Sequence, residues 1–227
     1  ELGDVLVTHP AVNGISFTGS CSTGSKIALK VAGGQRPKLQ LEMGGQNPLI
    51  VMEDANLDQA TDIAIDGSFW STGQKCTATG RIIVQEKIHK MFVELMVKKT
   101  KNLKVGNGMD SETQVGPMVS DEQLEMVLDY VKVGKEEGAK LLCGGGRLKG
   151  KEYGKGYFIE PTIFGEVKPK MRIAQEEVFG PFVCILKAKD IREALDIAND
   201  SRYGLSAAIC TRDTGNVLKF IREIGVG

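Results

Sequence analysis

The sequence predicts an α/β protein: a mostly parallel sheet covered by helices, preceded by a shorter β-α-β unit. Two observations carry this. Short apolar, β-branched runs alternate along the chain with longer segments whose apolar residues recur at helical spacing. Several of those longer segments open on capping signatures: Asn56-x-x-Gln59, Ser120-x-x-Gln123 and Asp190-x-x-Glu193.

Residues 1–44 read as β-α-β. Val12 to Thr18 is strand-like and ends in Gly19-Ser20. Ser22-Thr23-Gly24-Ser25 opens a helix through Ala28, Leu29 and Val31, stopped by Gly33-Gly34. Gln35-Arg36-Pro37 turns the chain into the alternating strand Lys38 to Leu41. From residue 45 onward, Leu49 to Met52 is a strand, and a helix follows Asn56 as far as Trp70. Arg81 to Gln85 is a strand, and Ile88 to Leu103 a helix with Phe92, Leu95 and Met96 on one face and lysines on the other. The helix after Ser120 runs through Leu124, Val127, Leu128 and Val131 to near Gly138. Leu141-Leu142 is a short strand before Gly144-Gly145-Gly146. That loop lacks the Lys-Ser/Thr of a phosphate loop and reads as a flexible, exposed turn. Tyr157 to Ile159, Pro161 to Phe164, Phe182 to Leu186 and Ser206 to Cys210 are strand-like, and Ala194 to Asn199 and Thr214 to Ile224 helical.

Composition narrows the function classes. At 227 residues the chain suffices for one large or two small domains. It carries 29 basic and 29 acidic residues with no basic stripe, which argues against nucleic acid. Apolar runs are too short to span a bilayer, and no signal-peptide pattern opens the chain. Five scattered cysteines without a C-x-x-C pair argue against a disulfide framework or a zinc site, and fit a reducing cytoplasm. With only two histidines, no metal site is expected.

The chemistry centres on Cys76, in Gly73-Gln74-Lys75-Cys76-Thr77-Ala78-Thr79-Gly80, a connection between a helical and a strand-like segment. Cys21, Cys143, Cys184 and Cys210 read instead as small apolar packing residues. A nucleophilic thiol needs a lowered pKa or a base, and Lys75 or the upstream Glu42 could serve. Glu42 ends a strand-like run before Gly44-Gly45, whose lack of side chains allows close backbone approach.

Cys76 and Glu42 together resemble the catalytic pair of the aldehyde dehydrogenase superfamily, with its G-Q-x-C loop and E-L-G-G-type segment; Met43 replaces the usual Leu. Phe17-Thr18-Gly19-Ser20 resembles the family's F-T-G-S cofactor turn, and Glu176-Glu177-Val178-Phe179-Gly180-Pro181-Phe182 its E-E-x-F-G-P segment. The resemblance runs over essentially the whole chain. It implies that residues 1–44 are the last β-α-β of a Rossmann-like NAD(P)-binding domain and 45–227 a catalytic domain cut short at its C-terminus. The chain is therefore expected to be a fragment, inactive by itself, of a cytoplasmic enzyme that forms homo-oligomers.

By the same resemblance, the Cys76 thiolate attacks an aldehyde, the resulting thiohemiacetal becomes a thioester, and Glu42 activates the water that releases a carboxylic acid. NAD or NADP would meet Gly19 and Ser20 at its pyrophosphate, Glu177 at the nicotinamide ribose and Phe179 at the ring, with Gln123 near the adenine-side ribose. Leu41 to Pro48 and Gly73 to Thr79 look most like the bacterial ketoglutarate-semialdehyde dehydrogenases, which implies 2,5-dioxopentanoate as substrate. Thr77 and Thr79 would give it a polar lining. Two other readings stay open: an acylating, coenzyme A-dependent relative, and a non-catalytic structural protein of the same fold.

Overall fold

Alternate side chains of each central strand are buried on opposite faces of one sheet, so strand periodicity sets the core. The computed structural model describes residues 2–33 and 38–226, and these divide into two compact units at Gly44/Gly45.

The first unit contains α1 (Leu2–Thr8), β1 (Gly14–Gly19), α2 (Cys21–Ala32) and β2 (Lys38–Met43). β1 and β2 pair in parallel, with Thr18 opposite Glu42 and Gly19 opposite Met43. Ser20 caps α2: its Oγ accepts the N–H of Thr23 at 3.2 Å. The helix thus starts one residue before the expected Ser22. Gly24 permits α2 to lie on β2, since a Cβ there would come within 2.5 Å of the Met43 sulfur. α1, which the sequence reading left unassigned, keeps Leu2, Val5 and Leu6 exposed. The expected turn at Gln35-Arg36-Pro37 and the Gly34 helix stop lie outside the described residues.

The second unit runs β3 (Asn47–Val51), α3 (Leu57–Phe69), β4 (Thr79–Gln85), α4 (Glu86–Lys101), α5 (Asp121–Glu136), β5 (Lys140–Cys143), β6 (Thr162–Gly165), α6 (Arg172–Gln175), β7 (Phe182–Ala188), α7 (Ile191–Asn199), β8 (Ala208–Cys210) and α8 (Thr214–Glu223). Its sheet order is β5-β6-β7-β4-β3-β8; all neighbours are parallel except β5 with β6. Leu49, Val51, Ile82, Val84, Val183 and Ile185 pack on one face with Phe69, Phe92 and Met96 of α3 and α4. Ile50, Ile83, Cys184 and Leu186 pack on the other with Leu124, Val127 and Leu195 of α5 and α7. A sheet covered on both faces explains why these strands read as continuous apolar runs.

The expected caps are present. Asn56, Ser120 and Asp190 accept the N–H of Gln59, Gln123 and Glu193 at 3.2, 3.2 and 3.0 Å. Two local expectations fail. Tyr157 to Ile159 is no strand: it makes isolated bridges, Tyr157 to Met118 and Ile159 to Arg147, because Pro161 and Gly156 interrupt a longer ladder. The Gly144–Gly146 loop is not a loose turn. It is half-buried, and Gly145 and Gly146 donate their N–H groups to Thr162 Oγ1 and Glu160 Oε2.

Candidate active site

The segment carrying Cys76 begins where α3 breaks. Phe69 is the last helical residue, and Ser71, Thr72 and Gly73 follow with φ of 55°, 58° and 64°. Three successive left-handed residues reverse the chain sharply, at a cost of about 1–2 kcal/mol for each non-glycine. Gly73 can have no side chain, because a Cβ there would overlap the Gly180 carbonyl. The amide of Gln74 fastens the far side of the bend. Its Oε1 accepts the Val119 N–H at 2.8 Å and its Nε2 donates to the Pro117 carbonyl at 3.2 Å.

Ala78 then donates its N–H to the Lys75 carbonyl at 3.0 Å, so Cys76 and Thr77 occupy the tip of a four-residue turn. Both are exposed. Cys184 is fully buried, and Cys21, Cys143 and Cys210 are half-buried. Burial pushes the Cys143 thiol up to about 11 and raises those of Cys184 and Cys210. That burial fits the packing role for Cys184 fully and for the other three in part.

Asn47, the first residue of β3, sits beneath the turn and is 4% exposed. Its Nδ2 donates to the carbonyls of Cys76 and Ala78, both at 2.8 Å, and its Oδ1 accepts the Ser206 N–H at 3.1 Å. The Cys76 N–H itself has no partner among the described residues. Thr79 turns its hydroxyl toward Gly67 of α3, where a Cβ would come within 2.5 Å of it. Of the two threonines expected to line the site, Thr77 alone is exposed.

The segment 176–180 adjoins this turn. Glu177 is half-buried, and its Oε1 accepts the Gly45 N–H at 3.0 Å. Burial pushes its carboxyl pKa up, and the Gly45 N–H opposes this. Phe179 is exposed with φ of 54°. Gly45, Gly73, Lys75, Gly80, Glu177 and Phe179 all border one small cavity of about 20 Å³.

Side-chain amides hold this segment too. Gln46 Nε2 donates to the carbonyls of Ile173 and Glu176. Gln123 Nε2 donates to those of Val178 and Phe179 at 3.1 and 3.0 Å. Both N–H groups of Gln123 are therefore committed to the Phe179 segment, so that Gln123 latches its backbone. Glu176 is bound by Arg172 and by the Tyr130 hydroxyl, with Arg172 holding its pKa down. Beneath both segments lies Arg81, 2% exposed, donating to the carbonyls of Gln46, Ile197 and Ala198. Burial lowers its pKa to about 10, and the C-terminal carbonyls of α7 favour its charge.

In the first unit, β1 and β2 end together, so Gly19-Ser20 and Glu42 share the carboxyl edge of that sheet. The Glu42 side chain is exposed. Ser20 also donates its hydroxyl to Thr23 Oγ1 at 3.0 Å, and the N-terminus of α2 behind it favours an anion. The second unit has a larger cleft of about 740 Å³, lined by Asp62, Trp70, Lys99 and Gln114 but by no residue of the Cys76 turn. Among the described residues, no helix is long and apolar enough to cross a membrane, and no group of three or more His, Cys, Asp or Glu is placed to hold a metal.

The site is thus a sharp turn presenting one exposed thiol, with the segment that carries the half-buried Glu177 bordering the same small cavity as Lys75. The aldehyde dehydrogenase family profile matches residues 1–227, and the chain belongs to that family. It is 46% identical over 226 residues to the alpha-ketoglutaric semialdehyde dehydrogenase of Bacillus subtilis, covering all of this chain and 46% of that protein. Against the betaine aldehyde dehydrogenase of Mesorhizobium japonicum it is 43% identical, with the same coverage. Among solved structures it is similar to a betaine aldehyde dehydrogenase from Staphylococcus aureus in complex with NAD+, with a TM-score of 0.97 at 38% identity over 100% of this chain and 45% of that one. The chain spans about half the length of the curated relatives it matches.

Proposed function

We propose that these residues carry the nucleophile and part of the cofactor site of an NAD(P)-dependent aldehyde dehydrogenase. The observation that carries this reading is the Cys76 turn: an exposed thiol at the tip, its own carbonyl tied down by Asn47 and its N–H without a partner among the described residues.

In this reading the Cys76 sulfur adds to the aldehyde carbonyl carbon, and the Cys76 N–H donates to the oxyanion that forms. A bound nicotinamide supplies the hydride acceptor that converts the thiohemiacetal to a thioester. Glu42 takes a proton from the water that attacks the thioester, and the acid leaves as the Cys76 thiolate is restored. Glu177 has a second carboxylate oxygen with which to accept from ribose hydroxyls, and Phe179 offers an exposed aromatic face. The anion-favouring N-terminus of α2, at Gly19 and Ser20, suits a pyrophosphate. Gln123 serves by holding the Phe179 backbone.

An oxygenated semialdehyde such as 2,5-dioxopentanoate is the proposed substrate, supported by Thr77 beside the thiol and by the name of the Bacillus subtilis relative. Residues 1–44 are read as part of the NAD(P)-binding domain and 45–227 as catalytic domain. Turnover, and assembly into a homo-oligomer, are proposed for a chain of the relatives' length. The test is nicotinamide reduction by such a chain with this semialdehyde, with NAD or NADP, and with or without coenzyme A. Turnover without coenzyme A supports a water-resolved thioester. A strict need for coenzyme A places the chain with acylating enzymes, and no reduction with any aldehyde refutes the reading.

A further inference from the structure

Asn47 takes no part in the chemical steps above, yet its side chain is fully bonded beside Cys76. It is 4% exposed, and both its amide N–H groups and its carbonyl oxygen are used. Two of the three bonds reach the Cys76 turn, on either side of Thr77. Such a side chain fixes two peptide planes at once: those whose carbonyls belong to Cys76 and Ala78. The Cys76 carbonyl is drawn inward toward β3, which holds the residue that bears the thiol in one orientation. The third bond, from the Ser206 N–H, fixes the amide's flip, since only Oδ1 can accept it. Packing adds to this constraint: a Cβ on Gly45 would come within 2.6 Å of Asn47 Oδ1 and 2.9 Å of the Cys76 carbonyl.

We propose that Asn47 is a positioning residue for Cys76, setting the turn so that the sulfur and the Cys76 N–H face the same reacting carbonyl. This rests on the reading of Cys76 as nucleophile. The amide is suited to the task in a way its near relatives are not. Aspartate at 47 is isosteric and can still accept from Ser206, but a carboxylate would face the two turn carbonyls with no donor. Alanine loses all three bonds.

The test uses a chain of the relatives' length, turned over with the semialdehyde and normalised to active sites by the burst of nicotinamide reduction. Asn47→Asp is expected to lower kcat per active site by roughly ten- to hundredfold, the scale for a displaced reacting group, while leaving the aldehyde KM close to the parent value. Amide hydrogen exchange at Thr77 and Ala78 should quicken in the same variant, with exchange at Arg81 to Gln85 of β4 and in β7 unchanged. Should Asn47→Ala fail to fold, Asn47→Asp still carries the test, because it keeps the Ser206 bond. Parent-like kcat and parent-like exchange in Asn47→Asp, with Cys76→Ala inactive, would overturn the positioning role and leave the nucleophile reading standing. Full turnover by Cys76→Ala would overturn both.

Discussion

Gly73 and Gly180 lie backbone against backbone, so close that a Cβ on Gly73 would overlap the Gly180 carbonyl oxygen. This contact joins the bend that leads to Cys76 with the segment that carries Glu177 and Phe179. Neither segment can shift far without the other, because each is also latched to a third element: Gln74 to Pro117 and Val119, and Gln123 to Val178 and Phe179.

Gly73→Ala should therefore be costly on two counts. Its φ of 64° disfavours any side chain, and the new methyl must displace Gly180. The expected loss is about 2–4 kcal/mol of unfolding free energy, read from urea denaturation. A loss below 0.5 kcal/mol would show that the two loops separate easily.

Arg81→Met tests the support beneath both segments. It removes donors from three buried carbonyls, those of Gln46, Ile197 and Ala198, and should cost about 3 kcal/mol or more. With its pKa near 10, the guanidinium is charged through the neutral range. The penalty should thus be flat between pH 6 and about 8, where Arg81 does not titrate. A penalty that varies steeply across that range would contradict the assignment.

Glu177 makes a pH prediction of the opposite kind. Its folded pKa is raised above 4.5, by burial first, with the Gly45 N–H opposing. Below 4.5 both folded and unfolded states hold the proton. As pH rises from there through the raised folded value, the unfolded state ionises first and stability falls, then levels off. Glu177→Gln keeps an acceptor for Gly45 and should remove that slope. Unfolding midpoints of parent and variant across acid pH would show it; identical slopes would refute it.

Asp54 should behave inversely. Burial pushes its pKa up, but bonds from the Arg212 N–H, the Thr211 hydroxyl and the Asp213 N–H outweigh this and hold it below 3.8. The stability it contributes is present above 3.8 and is lost as pH falls through the lower folded value. Asp54→Ala should free the corner between β8 and α8, with faster exchange at the amides of Arg212 and Asp213. Unchanged protection there would count against it.

The frame of the fold was legible because its signals are local. The apolar runs in Leu49 to Met52 and Arg81 to Gln85, and the caps at Asn56, Ser120 and Asp190, each lie within a few residues of what they specify. Cys76 stood out for a similar reason, on a Gly-bracketed connection. What escaped notice is what long-range bonds decide. Gln123 looked like a capping-box partner that would reach back to Ser120, but its side chain crosses to Val178 and Phe179. Asn47 and Gln46 looked like flanks of a motif, and their partners lie from about 30 to nearly 160 residues away in the chain. The short α6, the antiparallel pairing of β5 and the pinned Gly144–Gly146 loop follow likewise from distant partners. No periodicity within one segment encodes them.

The most direct test is nicotinamide reduction by a chain of the relatives' length, comparing the parent with Cys76→Ala and Cys184→Ala in the presence of 2,5-dioxopentanoate. Cys76→Ala should lose turnover by roughly four orders of magnitude or more, the scale for removing a covalent nucleophile. Cys184→Ala should lose little beyond the fraction that fails to fold. Turnover that survives in Cys76→Ala would contradict the account at its centre.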